Sequence, residues 1–227
     1  MGPARDLAIV LVSGGMDSAV VATRVCQNHE PAFLHLDYGQ RTEARERRSF
    51  EALTQYFGVG RRLVARVDPL GRIGGSSLTD LSLALTDTHR KDSNIPLTYV
   101  PFRNTHFLAA AVSWGEVIGA RWIYYGAVEE DSSGYPDCRE RYVEAFNRLI
   151  AEGTRPETRL AVVAPLLHKR KWEIVREGAR LGTPFQLTWS CYGGSEQACG
   201  ECESCRLRLK GFREAGLEDP LPYRERS

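Results

Sequence analysis

Two short stretches carry residue types that could do chemistry. Ser13-Gly14-Gly15-Met16-Asp17-Ser18 interrupts an apolar run with two glycines and then resumes with helix formers. Backbone N–H groups at such a strand-to-helix turn, aided by the positive end of the following helix, form a concavity suited to an anion. Glycine at 14 and 15 permits positive φ and removes the Cβ atoms that would hold a phosphate away. Ser13 and Ser18 add hydroxyl donors, while Asp17 could cap the helix or help place a cation. The plain alternative is an ordinary tight βα turn, because a bare glycine pair is a weak motif.

The second stretch puts Cys191, Cys199, Cys202 and Cys205, four of the six cysteines, within fifteen residues. Four thiolates are the number a closed tetrahedral zinc site takes. Gly193, Gly194 and Gly200 supply the sharp turns that bring the sulfurs together. Clustered thiols at this spacing read as metal ligands in a reducing compartment, not as a disulfide framework. An iron–sulfur cluster is the runner-up, set back by the missing Cys-Pro partner. Arg206, Arg208, Lys210 and Arg213 follow at helical spacing. They read as a solvated helix face behind a metal staple, the alternative being a zinc-knuckle module that binds RNA. With 30 Lys and Arg against 29 Asp and Glu, the chain has no global field to draw it onto nucleic acid or an anionic membrane.

Both stretches must be positioned by the intervening elements. Asp6 to Val12 is a nearly continuous apolar run, as expected of a central parallel strand covered on both faces. A helix is expected from Ser18 to Glu30 with Asp17 or Ser18 as its cap. Further strands are expected over 32–38, 61–68, 122–128 and 159–167, and helices over 42–58, 103–120, 139–153 and 169–182. Residues 69–98 turn to Gly, Ser, Thr, Asp and Asn, a long excursion of the kind used for lids. Strands alternating with helices predict an α/β, doubly wound, Rossmann-like parallel sheet of five strands. Its ligands would gather at the carboxyl ends of the strands. The expected division is 1–185 for this domain and 186–227 for a four-cysteine zinc-binding segment with a C-terminal helix. No run approaches a membrane span and no charged-then-apolar leader precedes the first strand, so a cytoplasmic location is expected.

The chain of 227 residues has neither the P-loop pattern nor the dinucleotide fingerprint. Instead, Ser13 to Ser18 resembles the S-G-G-x-D-S signature of the N-type ATP pyrophosphatases, also called the PP-loop superfamily. Combined with the C-x7-C-x2-C-x2-C cluster, the chain is similar to the 7-cyano-7-deazaguanine synthase family of queuosine biosynthesis. Asp37 to Arg41, Val100 to Asn104, Ser133 to Arg139 and Pro165 to Glu173 agree with that family, and the likeness runs from about Leu7 to Gly211.

The resemblance implies a carbon–nitrogen ligase that activates 7-carboxy-7-deazaguanine with ATP, aminates it with ammonia and dehydrates the amide to the nitrile. Val12, Ser13, Gly14, Gly15, Met16, Asp17, Ser18 and Lys171 would bind the nucleotide with Mg2+. Tyr38, Gln40, Arg41, Arg103, Asn104, Asp131, Tyr135, Pro136 and Asp137 would surround the deazapurine. Asp17, Lys171 and Arg103 would be catalytic, structural Zn2+ would sit on the four cysteines, and a homodimer is implied. The sequence departs from the family pattern at Phe102, Val128 and Ser132, which directs attention to the dehydrating step. A paralogue that stops at the amide or conjugates the deazapurine to another amine, a protein acceptor included, is the near alternative. A tRNA thiolase of the same superfamily would need a persulfide cysteine. Cys26 reads as a buried helix residue and Cys138 as part of the pocket wall.

Overall fold

The computed structural model describes residues 5–85, 95–129, 134–193 and 196–224. Five strands form one parallel sheet: β1 (Leu7–Leu11), β2 (Glu30–Asp37), β3 (Arg62–Arg66), β4 (Trp122–Tyr124) and β5 (Ala161–Val163). Their order is β3-β2-β1-β4-β5, so the chain winds outward from β1 in both directions. Seven helices accompany them among the described residues: α1 (Met16–Asn28), α2 (Glu43–Tyr56), α3 (Asp68–Ile73), α4 (Arg103–Ile118), α5 (Glu140–Gly153), α6 (Lys171–Leu181) and α7 (Glu203–Ala215).

Alternation along β1 divides its side chains between two apolar layers. Ala8, Val10 and Val12 join α1, Phe50 of α2, Ile174 of α6 and Phe212 of α7. Ile9 and Leu11 face the opposite layer, with Leu108 of α4 and Phe146 and Ile150 of α5. A strand buried on both faces needs a continuous apolar run, and β1 has one. The short edge strand β5 is closed by Asn147, which donates to the Val162 carbonyl at 3.0 Å and accepts from the Val162 N–H at 2.7 Å. These bonds occupy edge groups that would otherwise be open to another strand.

Several expected boundaries move. Helix α1 begins at Met16 with Gly15 as its N-cap, so Asp17 and Ser18 lie inside the first turn and neither caps it. Ladder pairing in β4 ends at Tyr124 rather than Val128, and in β5 at Val163 rather than Leu167. The apolar residues beyond those ends are buried outside the ladder: the Tyr125 N–H still donates to the Val163 carbonyl at 3.2 Å, and Tyr125, Ala127 and Val128 line a cavity. The 69–98 excursion contains α3 and a series of turns, and residues 86–94 lie outside the described residues.

Candidate active site

The carboxyl ends of β1, β2 and β4 open into a cavity of about 320 Å3. Helix α1 presents its N-terminus there, where the first turn's N–H groups have no intrahelical partner. Gly14 has φ +87°, and a Cβ added to it would meet the Glu46 carbonyl oxygen and Ser49 Cβ, both at 2.8 Å. The turn therefore requires glycine at 14 on two separate grounds. Within it, the Gly15 N–H donates to Ser13 Oγ at 3.3 Å and Ser18 Oγ donates to the Gly15 carbonyl at 2.9 Å. Beneath the loop, buried His35 contacts the Val12 carbonyl through Nδ1 at 2.8 Å. A carbonyl can only accept, so Nδ1 carries the proton. His35 Nε2 faces Asp37 at 3.2 Å, and Arg47 closes the row on the other Asp37 oxygen at 3.0 Å.

Lys171 opens α6, and its Nζ donates to Asp17 Oδ2 at 2.9 Å. A cation at a helix N-terminus opposes the helix dipole. The cost is accepted where an anion is expected, and here the lysine, the α1 N-terminus and Ser13 share one cavity. The side chain is only 15% exposed, so Lys171 is not a solvated first-turn residue.

The opposite wall comes from α4 and the segment before α5. Arg103 donates to the Tyr38 hydroxyl at 3.1 Å and stacks over Tyr38 and Phe107. Burial pushes the Tyr38 phenol up to about 12. Asn104 donates through Nδ2 to the Asp137 carbonyl at 3.1 Å and to Cys138 Sγ at 3.3 Å, and its backbone N–H donates to Asp137 Oδ2 at 3.0 Å. Asp137 is 4% exposed, and burial raises its carboxyl above the usual range against the pull of the Asn104 N–H and Arg103. Burial also pushes the Cys138 thiol up to about 12, with Asp137 adding to the effect. A thiol held neutral is a wall rather than a nucleophile. Cys26, likewise raised to about 12 by burial, is a half-buried residue of α1.

Most sequence-predicted residues meet in this cavity: Val12, Ser13, Gly15, Met16, Asp17, Ser18, Tyr38, Arg103, Asn104, Tyr135 and Lys171 all line it. Others stand behind the wall. Gln40 accepts the Tyr38 N–H at 2.8 Å and donates to Glu46, while Arg41 holds the Asp80 and Leu83 carbonyls of the excursion at 2.7 and 2.5 Å. Gly14, Pro136 and Asp137 are outside the lining set. Asp131 and Ser132 lie outside the described residues. Val128 lines the cavity, whereas Phe102 is 58% exposed, adopts φ +60° and does not reach it.

Sequence reasoning missed the contribution of the C-terminal segment: Trp189, Ser190, Tyr192, Glu203, Ser204 and Leu207 complete the cavity. The Trp189 N–H donates to the Gly14 carbonyl at 2.8 Å, and Arg45 stacks on the Trp189 ring at 4.2 Å. Arg208 is not on a solvated face either. It is 1% exposed, bound to Asp219 through Nε and Nη2 at 2.8 and 2.9 Å, to Thr188 at 2.7 Å and to the Phe185 carbonyl at 3.3 Å. A basic run at helical spacing gave no sign that one member turns inward.

The sulfur atoms of Cys191, Cys199, Cys202 and Cys205 all lie within 4.8 Å of one another. Cys199 Sγ and Cys205 Sγ are 3.9 Å apart, against about 3.8 Å for two sulfurs at tetrahedral zinc bond lengths. The Gly193 and Cys199 N–H groups point at Cys191 Sγ, and those of Glu201 and Cys202 at Cys199 Sγ. Donors aimed at sulfur suit thiolates that hold a metal. No described helix is long and apolar enough to cross a membrane.

Residues 7–216 match the family described as queuosine biosynthesis protein QueC. A relative from Chlorobium chlorochromatii, named 7-cyano-7-deazaguanine synthase, is 55% identical over 221 residues, covering 96% of each chain. A relative of the same name from Acidobacterium capsulatum is 54% identical over 230 residues, covering the whole of both. The matched span takes in both the glycine turn and the cysteine cluster, and on it the chain belongs to the QueC family.

Proposed function

We propose that this enzyme converts 7-carboxy-7-deazaguanine, ammonia and ATP into 7-cyano-7-deazaguanine. One observation carries the reading: the anion-binding turn, Lys171 and the Arg103–Asn104–Tyr135 wall face one another across a single cavity, in a chain more than half identical to two enzymes of that name. A substrate carboxylate oxygen attacks the α-phosphorus of ATP and pyrophosphate leaves. Ammonia then displaces AMP to give the amide. A second adenylation on the amide oxygen, followed by loss of AMP and the remaining N–H protons, gives the nitrile.

In this reading Ser13, Ser18 and the first-turn N–H groups of α1 hold phosphate oxygens, and Lys171 neutralises charge as the α–β bond breaks. Arg103, Asn104 and Tyr135 orient the deazapurine, with Asp137 fixing Asn104 from behind. Magnesium fits Asp17, whose Oδ1 has no hydrogen-bond partner while Oδ2 takes Lys171. When bound, it would screen the departing pyrophosphate. Incubation with ATP, magnesium, the carboxylate and ammonium should yield nitrile by mass, with two AMP per product. A product mixture that stops at the amide, or contains only a conjugate to another amine, overturns the nitrile assignment and retains the activation chemistry.

Zinc fits the four thiolates by their number and spacing and would supply structure only. Elemental analysis should find one zinc per chain. Removing it with a chelator is expected to release the amides of residues 186–224 to rapid hydrogen exchange while β1 and β2 stay protected. An iron–sulfur absorption band, or unchanged exchange after metal removal, would count against this.

A further inference from the structure

We propose that Gly211 is a positioning residue for Lys171, through which helix α7, rooted in the cysteine cluster, sets the place of the cavity's lysine. The inference rests on Lys171 facing the nucleotide, as argued above. A Cβ added to Gly211 would lie 2.6 Å from Lys171 Cγ and 3.2 Å from Lys171 Cβ. The stem of the lysine therefore runs across the bare backbone of α7 at closest approach, and its ammonium ends on Asp17.

Helix α7 has little room to yield. Cys202 caps its N-terminus and Cys205 fills its first turns, both within the thiolate cluster. Arg208 ties its middle to Asp219, Thr188 and the Phe185 carbonyl. Near its end the Ala215 carbonyl accepts from Arg176 Nε of α6 at 3.3 Å, and Phe212 meets the edge of Phe185 at 5.1 Å between centroids. A methyl group at 211 would need about 1 Å more space to reach ordinary carbon contact distance. With α7 pinned, the lysine must give way, and a misplacement of about 1 Å at a reacting group can cost on the order of 100-fold in rate.

Gly211→Ala is expected to lower kcat for pyrophosphate release about 10- to 100-fold, with the KM for the carboxylate substrate within about twofold of wild type. Gly115→Ala is the control: its Cβ would meet Leu160 at 3.0 Å in the other apolar layer, so it should cost stability and leave kcat in place. In a Lys171→Ala background, which removes the 2.6 Å contact with Cγ and keeps only that with Cβ at 3.2 Å, Gly211→Ala should cost kcat far less than it does in the wild type. Equal kcat in the two glycine variants, or full additivity with Lys171→Ala, overturns the proposal. If Gly211→Ala alone does not fold, the Lys171→Ala/Gly211→Ala protein should, because the 2.6 Å contact is gone; failure to recover also overturns it. Full turnover in Lys171→Ala alone would instead defeat the underlying assignment of the lysine, so the two failures are told apart.

Discussion

Lys171→Ala is expected to reduce kcat by about 100- to 1,000-fold, roughly 2.7–4 kcal/mol of transition-state stabilisation, the usual cost of deleting one preorganised electrostatic partner. The KM for the carboxylate should change little, since the wall formed by Arg103, Asn104 and Tyr135 stands on different elements. Lys171→Arg should recover only part of the loss. A planar guanidinium cannot occupy the narrow path between Gly211 and Asp17 as an ammonium on a four-carbon stem does. Coupled measurement of pyrophosphate at saturating ATP tests this, and a Lys171→Ala enzyme within about threefold of wild type would defeat the assignment.

Arg208→Ala is expected to destabilise folding by about 3–5 kcal/mol, because it leaves Asp219 buried without its cation. The carboxylate would keep the Leu221 N–H and the Tyr223 hydroxyl, which do not neutralise it. Urea unfolding should show a lowered midpoint at nearly unchanged slope. Adding Asp219→Asn to the same protein should return part of the stability, since no uncompensated charge then remains. A loss below about 1 kcal/mol would mean the pair is hydrated in solution.

Much of this architecture was legible in the amino-acid order because its determinants are local. Apolar runs mark β1 and β2, the glycine pair marks the turn, and cysteine spacing marks the cluster whose sulfurs converge. Strand ends were less legible. Tyr125 to Val128 are apolar because they wall a cavity, and hydropathy does not separate that use from ladder pairing. The contribution of Trp189, Tyr192 and Glu203 was hidden for a different reason. Their partners lie far away in the chain: Trp189 meets Gly14 and Arg45, and Glu203 reaches Thr98 at 3.5 Å. Arg208 was misread because the periodicity of a basic helix face says nothing about a carboxylate eleven residues on.

The bond from the Trp189 amide to the Gly14 carbonyl joins the loop after β1 to a segment 175 positions farther along the chain. The first strand and helix can begin to pack before that segment is available, yet the glycine turn stays unfinished until Trp189 docks, 161 residues beyond the end of α1. Such a distant closure is entropically expensive and late. A chain in which Trp189 has not docked therefore carries an open turn after β1, and the anion seat is completed only when the two segments meet.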